Sequence, residues 1–179
     1  MTDCGAHAFD ELSYPGDSIK QVYKEDILVG YRWHDTKKIP ALFPFGYGLS
    51  YTSFKYEVCP ADTVVETGKP ITYSVKVTNT GKRDGDEVVQ LYVSHSKLGT
   101  TERMPLCALK GFKRISLKKG ESKIVSFVLS PEDLALVASS GILREKAGKA
   151  DIYIGGGQPQ QSQGVFYPLC IKGDVFQIN

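Results

Sequence analysis

Long apolar runs are missing from this chain. The longest is Leu134-Ala135-Leu136-Val137-Ala138, far below the roughly 18 residues that a helix needs to cross a bilayer, so no membrane partner is expected. An excess of one charge is missing too. Twenty-two Lys and Arg stand against 20 Asp and Glu, a net charge of +2, too weak a field to gather a nucleic acid or an anionic surface. Cysteine is sparse, and Cys4, Cys59, Cys107 and Cys170 lie far apart. Without a C-x-x-C pair there is no zinc clip or dithiol couple to read, and all but Cys4 sit in or beside apolar stretches, as small buried thiols do. The histidines, His7, His34 and His95, are too scattered to hold a metal by spacing. No cofactor is expected. Met1-Thr2-Asp3-Cys4-Gly5-Ala6-His7 has neither a basic n-region nor an apolar h-region, so no signal peptide is expected there.

What is present fits one globular domain with an appended segment. The 179 residues are 41% hydrophobic and 23% charged, within the roughly 100–200 residues of a single domain. Two parts differ in character. Residues 1–51 lack a sustained period, being punctuated by Pro15-Gly16-Asp17, Lys37-Lys38-Ile39-Pro40 and Phe43-Pro44-Phe45-Gly46, with Ile27-Leu28-Val29-Gly30-Tyr31 as a short strand-like run. Their aromatics, Tyr14, Tyr23, Tyr31, Trp33, Phe43, Phe45 and Tyr47, are too many for a solvated linker. A largely extended arm lying against another surface is expected.

Residues 52–179 read as strands. In Ile71-Thr72-Tyr73-Ser74-Val75-Lys76-Val77-Thr78 every odd position is apolar and every even one polar, so a pleated strand would send one set to a core and the other to water. Asn79-Thr80-Gly81-Lys82 supplies a turn. Further strands are expected at Phe54–Cys59, Glu87–Ser94, Ala108–Leu117, Lys123–Leu129, Ala150–Ile154 and Val165–Ile171. Seven short strands at this spacing predict an all-β sandwich. Ser130-Pro131-Glu132-Asp133 combines a cap residue, a proline at the first helical position and acids in the first turn, the signature of one helical turn.

Chemistry is hard to place. Glycoside hydrolysis needs two carboxylates about 5–9 Å apart across a pocket, but Asp84 and Asp86 flank a turn glycine, Glu132-Asp133 caps a helix and Glu25-Asp26 lies in the arm. Gly46-Tyr47-Gly48 lacks the third glycine of a dinucleotide loop, and Gly155-Gly156-Gly157 precedes no helix; a flexible hairpin loop is expected there. Lys110, Lys113, Arg114, Lys118 and Lys119 read as the wet face of a strand and its turn. The most informative cluster is Tyr31-Arg32-Trp33-His34-Asp35, which holds the single tryptophan. Such rings stack on sugars and on neighbouring protein alike, and packing on another domain is the favoured reading.

Tyr23-Lys24-Glu25-Asp26-Ile27-Leu28-Val29-Gly30-Tyr31-Arg32-Trp33-His34-Asp35 and Leu42-Phe43-Pro44-Phe45-Gly46-Tyr47-Gly48-Leu49-Ser50-Tyr51-Thr52 resemble the junction before the last domain of glycoside hydrolase family 3 enzymes, the β-glucosidases and β-xylosidases. Val77-Thr78-Asn79-Thr80-Gly81, Gly85-Asp86-Glu87-Val88-Val89-Gln90-Leu91-Tyr92-Val93, Leu109-Lys110-Gly111-Phe112, Lys119-Gly120-Glu121-Ser122 and Pro131-Glu132-Asp133-Leu134 resemble that family's fibronectin type III-like domain. Two departures stand out. Tyr47 occupies a place where many relatives have histidine, and the Arg-Pro pair expected before Leu-Lys-Gly-Phe appears as Arg103-Met104-Pro105.

The resemblance implies an immunoglobulin/fibronectin type III-like β-sandwich at 52–179, with 1–51 as the remnant of a preceding α/β domain and its linker. It implies an accessory role beside catalytic domains of the same polypeptide, which would hydrolyse β-glucosides or β-xylosides with retention and be secreted or periplasmic. No catalytic residue carries over to this chain. Tyr31, Arg32, Trp33, His34, Asp35, Phe43, Phe45 and Tyr47 are the candidate contacts, to the other domains or, if the chain is an independent carbohydrate-binding or adhesion module, to sugar. An arm parted from its partner surface predicts self-association of the isolated chain.

Overall fold

The computed structural model of the chain describes residues 17, 19–23, 26–97, 104–138, 140–159 and 162–178. Cys4, His7, Tyr14, Glu25 and Arg103 lie outside them. Two sheets face each other. One has three strands in the order β1 (Phe54–Val58), β3 (Ile71–Asn79) and β6 (Ser122–Leu129). The other has five: β2 (Val64–Glu66), β10 (Gly164–Lys172), β9 (Gly148–Gly155), β4 (Gly85–Lys97) and β5 (Ala108–Leu117). Pairing is antiparallel except between β2 and β10.

The period-two reading of β3 holds residue by residue: Ile71, Tyr73, Val75 and Val77 are buried, while the residues between them are partly or fully exposed. They meet Val125, Phe127 and Leu129 of β6, and across the sandwich Val89, Leu91 and Val93 of β4, Ile152 and Ile154 of β9, and Leu169 and Ile171 of β10. This is one contiguous core built from the inward faces of both sheets. At the end of β3, the fully buried Asn79 donates from Nδ2 to the Arg83 and Leu117 carbonyls and accepts from Thr52 Oγ1 and the Gly81 N–H. An asparagine is needed there because a buried amide must satisfy both its donors and its acceptor.

All seven expected strands form. The four other strands among the described residues are short, and two- or three-residue strands carry no readable period: β2, and the small sheet of β11 (Phe176–Gln177), β8 (Leu143–Glu145) and β7 (Leu136–Val137). The helical turn α2 (Pro131–Leu134) begins with a full capping box, Ser130 accepting from the Asp133 N–H while the Asp133 carboxylate accepts from the Ser130 N–H. Leu134 anchors it in the core.

The arm departs from an extended path at its helix and again at the turn from Pro44 to Tyr47. Where Ile27–Tyr31 read as a strand, the chain turns and enters the helix α1 (Tyr31–Lys37), bracketed by Gly30 at φ 63° and Lys38 at φ 55°. A positive φ at Gly30 diverts the strand, and the left-handed Lys38 stops the short helix.

Candidate functional site

A hydrogen-bonded latch centred on Gln158 helps to hold the arm to the outer face of the five-stranded sheet. Gln158, only 2% exposed, follows Gly155-Gly156-Gly157 at the end of β9. Its Nε2 donates to Asp35 Oδ1 on α1. Its Oε1 accepts the Phe45 N–H at 3.1 Å, and its own N–H donates to the Phe45 carbonyl at 3.2 Å. One side chain thus fastens both the helix and the segment after it. Gly46 passes so close to the sheet that a Cβ there would strike the Gln90 amide and the Gly157 Cα, and its φ of 84° favours glycine as well. The Gly155–Gly157 segment is accordingly not a wet, flexible loop but a packed seat, with Gly155 and Gly157 buried.

Rings complete the seat. Tyr31 lies 5.2 Å from Phe45 and meets Tyr92 edge-on at 6.0 Å, and its hydroxyl accepts the Leu109 N–H at 2.9 Å. Below it the Tyr92 hydroxyl donates to Gln90 Oε1 at 2.6 Å, and the Tyr153 hydroxyl donates to the Ser162 carbonyl at 2.9 Å. Asp35 Oδ2 accepts a long bond, 3.6 Å, from the Cys107 thiol. Burial raises the Asp35 carboxyl above its ordinary value against the opposing pull of Cys107, Gln158 and His34, and burial together with Asp35 pushes the Cys107 thiol up to about 12. A thiol held protonated in this way is a poor nucleophile. A cavity of about 240 Å³ opens beside α1, with Asp35, Tyr92, Cys107, Tyr153 and Phe166 in its wall. The polar atoms that Asp35, Tyr92 and Tyr153 bring to that wall are bonded within the chain.

The candidate contacts therefore divide. Tyr31, Asp35 and Phe45 engage the sandwich itself. Trp33 is half-buried with the Lys37 ammonium 5.0 Å over its ring, Arg32 lies 5.9 Å over the Tyr31 ring, and His34 Nδ1 donates to the Ile39 carbonyl at 3.2 Å, closing the end of α1. Phe43 and Tyr47 stack on each other, 5.0 Å apart, and face outward. Gln158 was absent from the candidates: its partners Phe45 and Asp35 are 113 and 123 positions away, and its place after a glycine run reads as a polar loop.

The acid pairs hold the fold. Asp84 Oδ1 accepts the Lys119 N–H at 2.8 Å, and Asp86, which lies in β4 rather than in the turn, pairs with Arg114 at 2.6 Å. The Ser116 hydroxyl and the Arg114 guanidinium hold its carboxyl below the ordinary range. Glu132 and Asp133 lie in the α2 cap. Among the described residues no group of three or more His, Cys, Asp or Glu is placed to hold a metal, and Cys59, Cys107 and Cys170 are free thiols.

An all-β sandwich with its arm latched to one outer face defines a structural module of the fibronectin type III-like class, and residues 87–158 match the family model described as the fibronectin type III-like domain. The chain is 52% identical over 136 residues to β-glucosidase BoGH3A of Bacteroides ovatus, covering 75% of this chain and 18% of that protein. It is 45% identical over 131 residues to thermostable β-glucosidase B of Acetivibrio thermocellus, covering 73% and 17%. The β-glucosidase of Kluyveromyces marxianus superposes with a TM-score of 0.82 at 31% identity, over 93% of this chain and 20% of that one. The glycoside hydrolase family 3 β-glucosidase of Bifidobacterium adolescentis superposes at 0.80 and 29%, over 91% and 23%. The chain thus carries the fibronectin type III-like domain of family 3 β-glucosidases, and it spans about a fifth of the length of the relatives it matches.

Proposed function

We propose that this chain is the accessory, non-catalytic domain of a family 3 β-glucosidase, bracing catalytic domains of the same polypeptide that hydrolyse β-glucosides with retention through two carboxylates. The observation that carries the reading is the match itself: β-glucosidases of bacteria and fungi align with the chain over less than a fifth of their own length. The acids supply a physical reason in agreement with it. Asp84, Asp86 and Asp133 are spent on turns, an ion pair and a cap, and reacting groups must be held within a fraction of an ångström of one another to work.

The test is a transplant. The segment of BoGH3A that this chain matches is replaced by this chain, and hydrolysis of an aryl β-glucoside is compared with that of native BoGH3A and of BoGH3A shortened by the segment. Activity and heat stability close to native in the chimera, and lost in the shortened enzyme, support the reading. A chimera no better than the shortened enzyme refutes it. The purified chain alone should give no turnover above buffer, and turnover that survives repurification would refute the accessory role.

A further inference from the structure

We propose that the outer edge of the arm, formed by Leu42, Phe43, Tyr47 and Leu49, is a preassembled docking surface for the catalytic part of a β-glucosidase polypeptide, and that the arm from Asp26 onward belongs to the sandwich rather than to the domain before it. This rests on the accessory-domain reading and adds which face does the bracing. Three observations carry it. First, the arm is engaged on its inner side: Tyr31, Asp35 and Phe45 are bonded or stacked against β4, β5 and the turn after β9. Second, four large apolar side chains of the arm are bare, with Leu42 at 89%, Phe43 at 64%, Tyr47 at 55% and Leu49 at 92% exposure. Isolated exposed hydrophobics are ordinary, but a run of them within eight positions on one short segment marks a surface that something covers. Third, the segment is fixed before any partner arrives. The Tyr47 N–H donates to the Pro44 carbonyl at 2.9 Å, Phe43 and Tyr47 stack, and Phe45 and Gly46 between them are pinned to Gln158 and against Gly157.

The occupant follows from the relatives. The Kluyveromyces marxianus likeness covers 93% of this chain, more than residues 52–179 could supply, so the arm recurs with the sandwich in a protein about five times as long. The remaining four-fifths of such a polypeptide is the surface at hand. A sugar fits the edge less well, because the Phe43 and Tyr47 rings are tilted by 41° and offer no flat platform for a pyranose face. A second copy of the chain is the remaining competitor.

The BoGH3A chimera tests this directly with a Phe43→Ala, Tyr47→Ala double variant. In the isolated chain, where both rings are exposed, the urea midpoint should stay unchanged. In the chimera, the half-life of aryl β-glucosidase activity at elevated temperature should fall at least tenfold, while Phe45→Ala lowers stability in both settings. A chimera that is active and heat-stable with or without the two rings overturns the docking surface and leaves the accessory role standing. A chimera that fails with both rings present overturns the accessory role and the docking surface together. Binding of cellotetraose to the isolated chain, or dimerisation in sedimentation, that the double variant abolishes while the chimera's half-life stays unchanged would assign the edge to sugar or to self-association and overturn the proposal.

Discussion

Replacing Gln158 with alanine should release the arm while leaving the sandwich folded. The substitution removes the bond from Nε2 to the Asp35 carboxylate and leaves the Phe45 N–H without its acceptor. A hydrogen bond to a charged group is worth about 1.5–3 kcal/mol and a neutral one about 1 kcal/mol, so the loss is about 2–4 kcal/mol. At about 1.4 kcal/mol per factor of ten, arm docking weakens roughly thirty- to a thousandfold. The chain supplies its own reporter, because its single tryptophan, Trp33, lies on α1. Tryptophan emission follows the arm, and far-ultraviolet circular dichroism follows the strands. In the native chain the two urea transitions should coincide, as expected of one cooperative unit. In the variant the emission change should come at clearly lower urea, with the strand signal nearly unmoved. Coincident transitions in the variant, with both midpoints within error of native, would refute the latch.

Four further outcomes are expected. Burial raises Asp35; an acid whose folded pKa lies above its unfolded one costs stability as pH rises through the interval between the two. Arm docking, read by Trp33 emission in fixed urea, should therefore tighten as pH falls through the carboxylate range, and a loosening there would contradict the geometry. The buried Glu145 accepts the Gly68 N–H on Oε2 at 2.7 Å, its Oε1 has no partner among the described residues, and burial raises its carboxyl. Glu145→Gln keeps an acceptor without the charge, so its melting temperature should exceed native at pH 7 and the gap should close in acid; a lower melting temperature at pH 7 would show that the charge is needed. Ser130→Ala removes the α2 cap and should lower stability by about 1 kcal/mol in urea denaturation, while Leu91→Ala in the fully buried core should cost about 2–5 kcal/mol.

The sandwich was legible in the sequence wherever one face of a strand is buried and the other wet. β3 alternates strictly, and β6 buries Val125, Phe127 and Leu129 at alternate positions. The α2 cap was legible because its whole mechanism lies within four consecutive residues. The arm was not. Apolar residues before Tyr31 resemble a strand until the positive φ of Gly30 diverts the backbone, and propensity carries no information about a bend imposed by the surface beneath. Gln158 was silent for a related reason: a glutamine after a glycine run reads as a polar loop until the fold brings Phe45 and Asp35 across more than a hundred positions to meet it.

The two sides of the arm use different physics for different ends. The inner side relies on hydrogen bonds whose net contribution is only about 0.5–1.5 kcal/mol each when neutral, yet their geometry is directional, and they fix where Phe45 and Gly46 sit to within the tolerance of a glycine contact. The outer side presents apolar area, which is non-directional and worth about 25 cal/mol per Å² once covered. Had the same residues been a flexible linker, each ordered side chain would subtract about 0.5–1.5 kcal/mol from docking. With the latch closed, that ordering is met when the chain folds, so nearly the whole apolar gain remains for the partner. Opening the latch should therefore weaken docking as surely as truncating Phe43 and Tyr47 does. Gln158→Ala in the chimera should shorten its heat-inactivation half-life although Gln158, 2% exposed, could touch no partner.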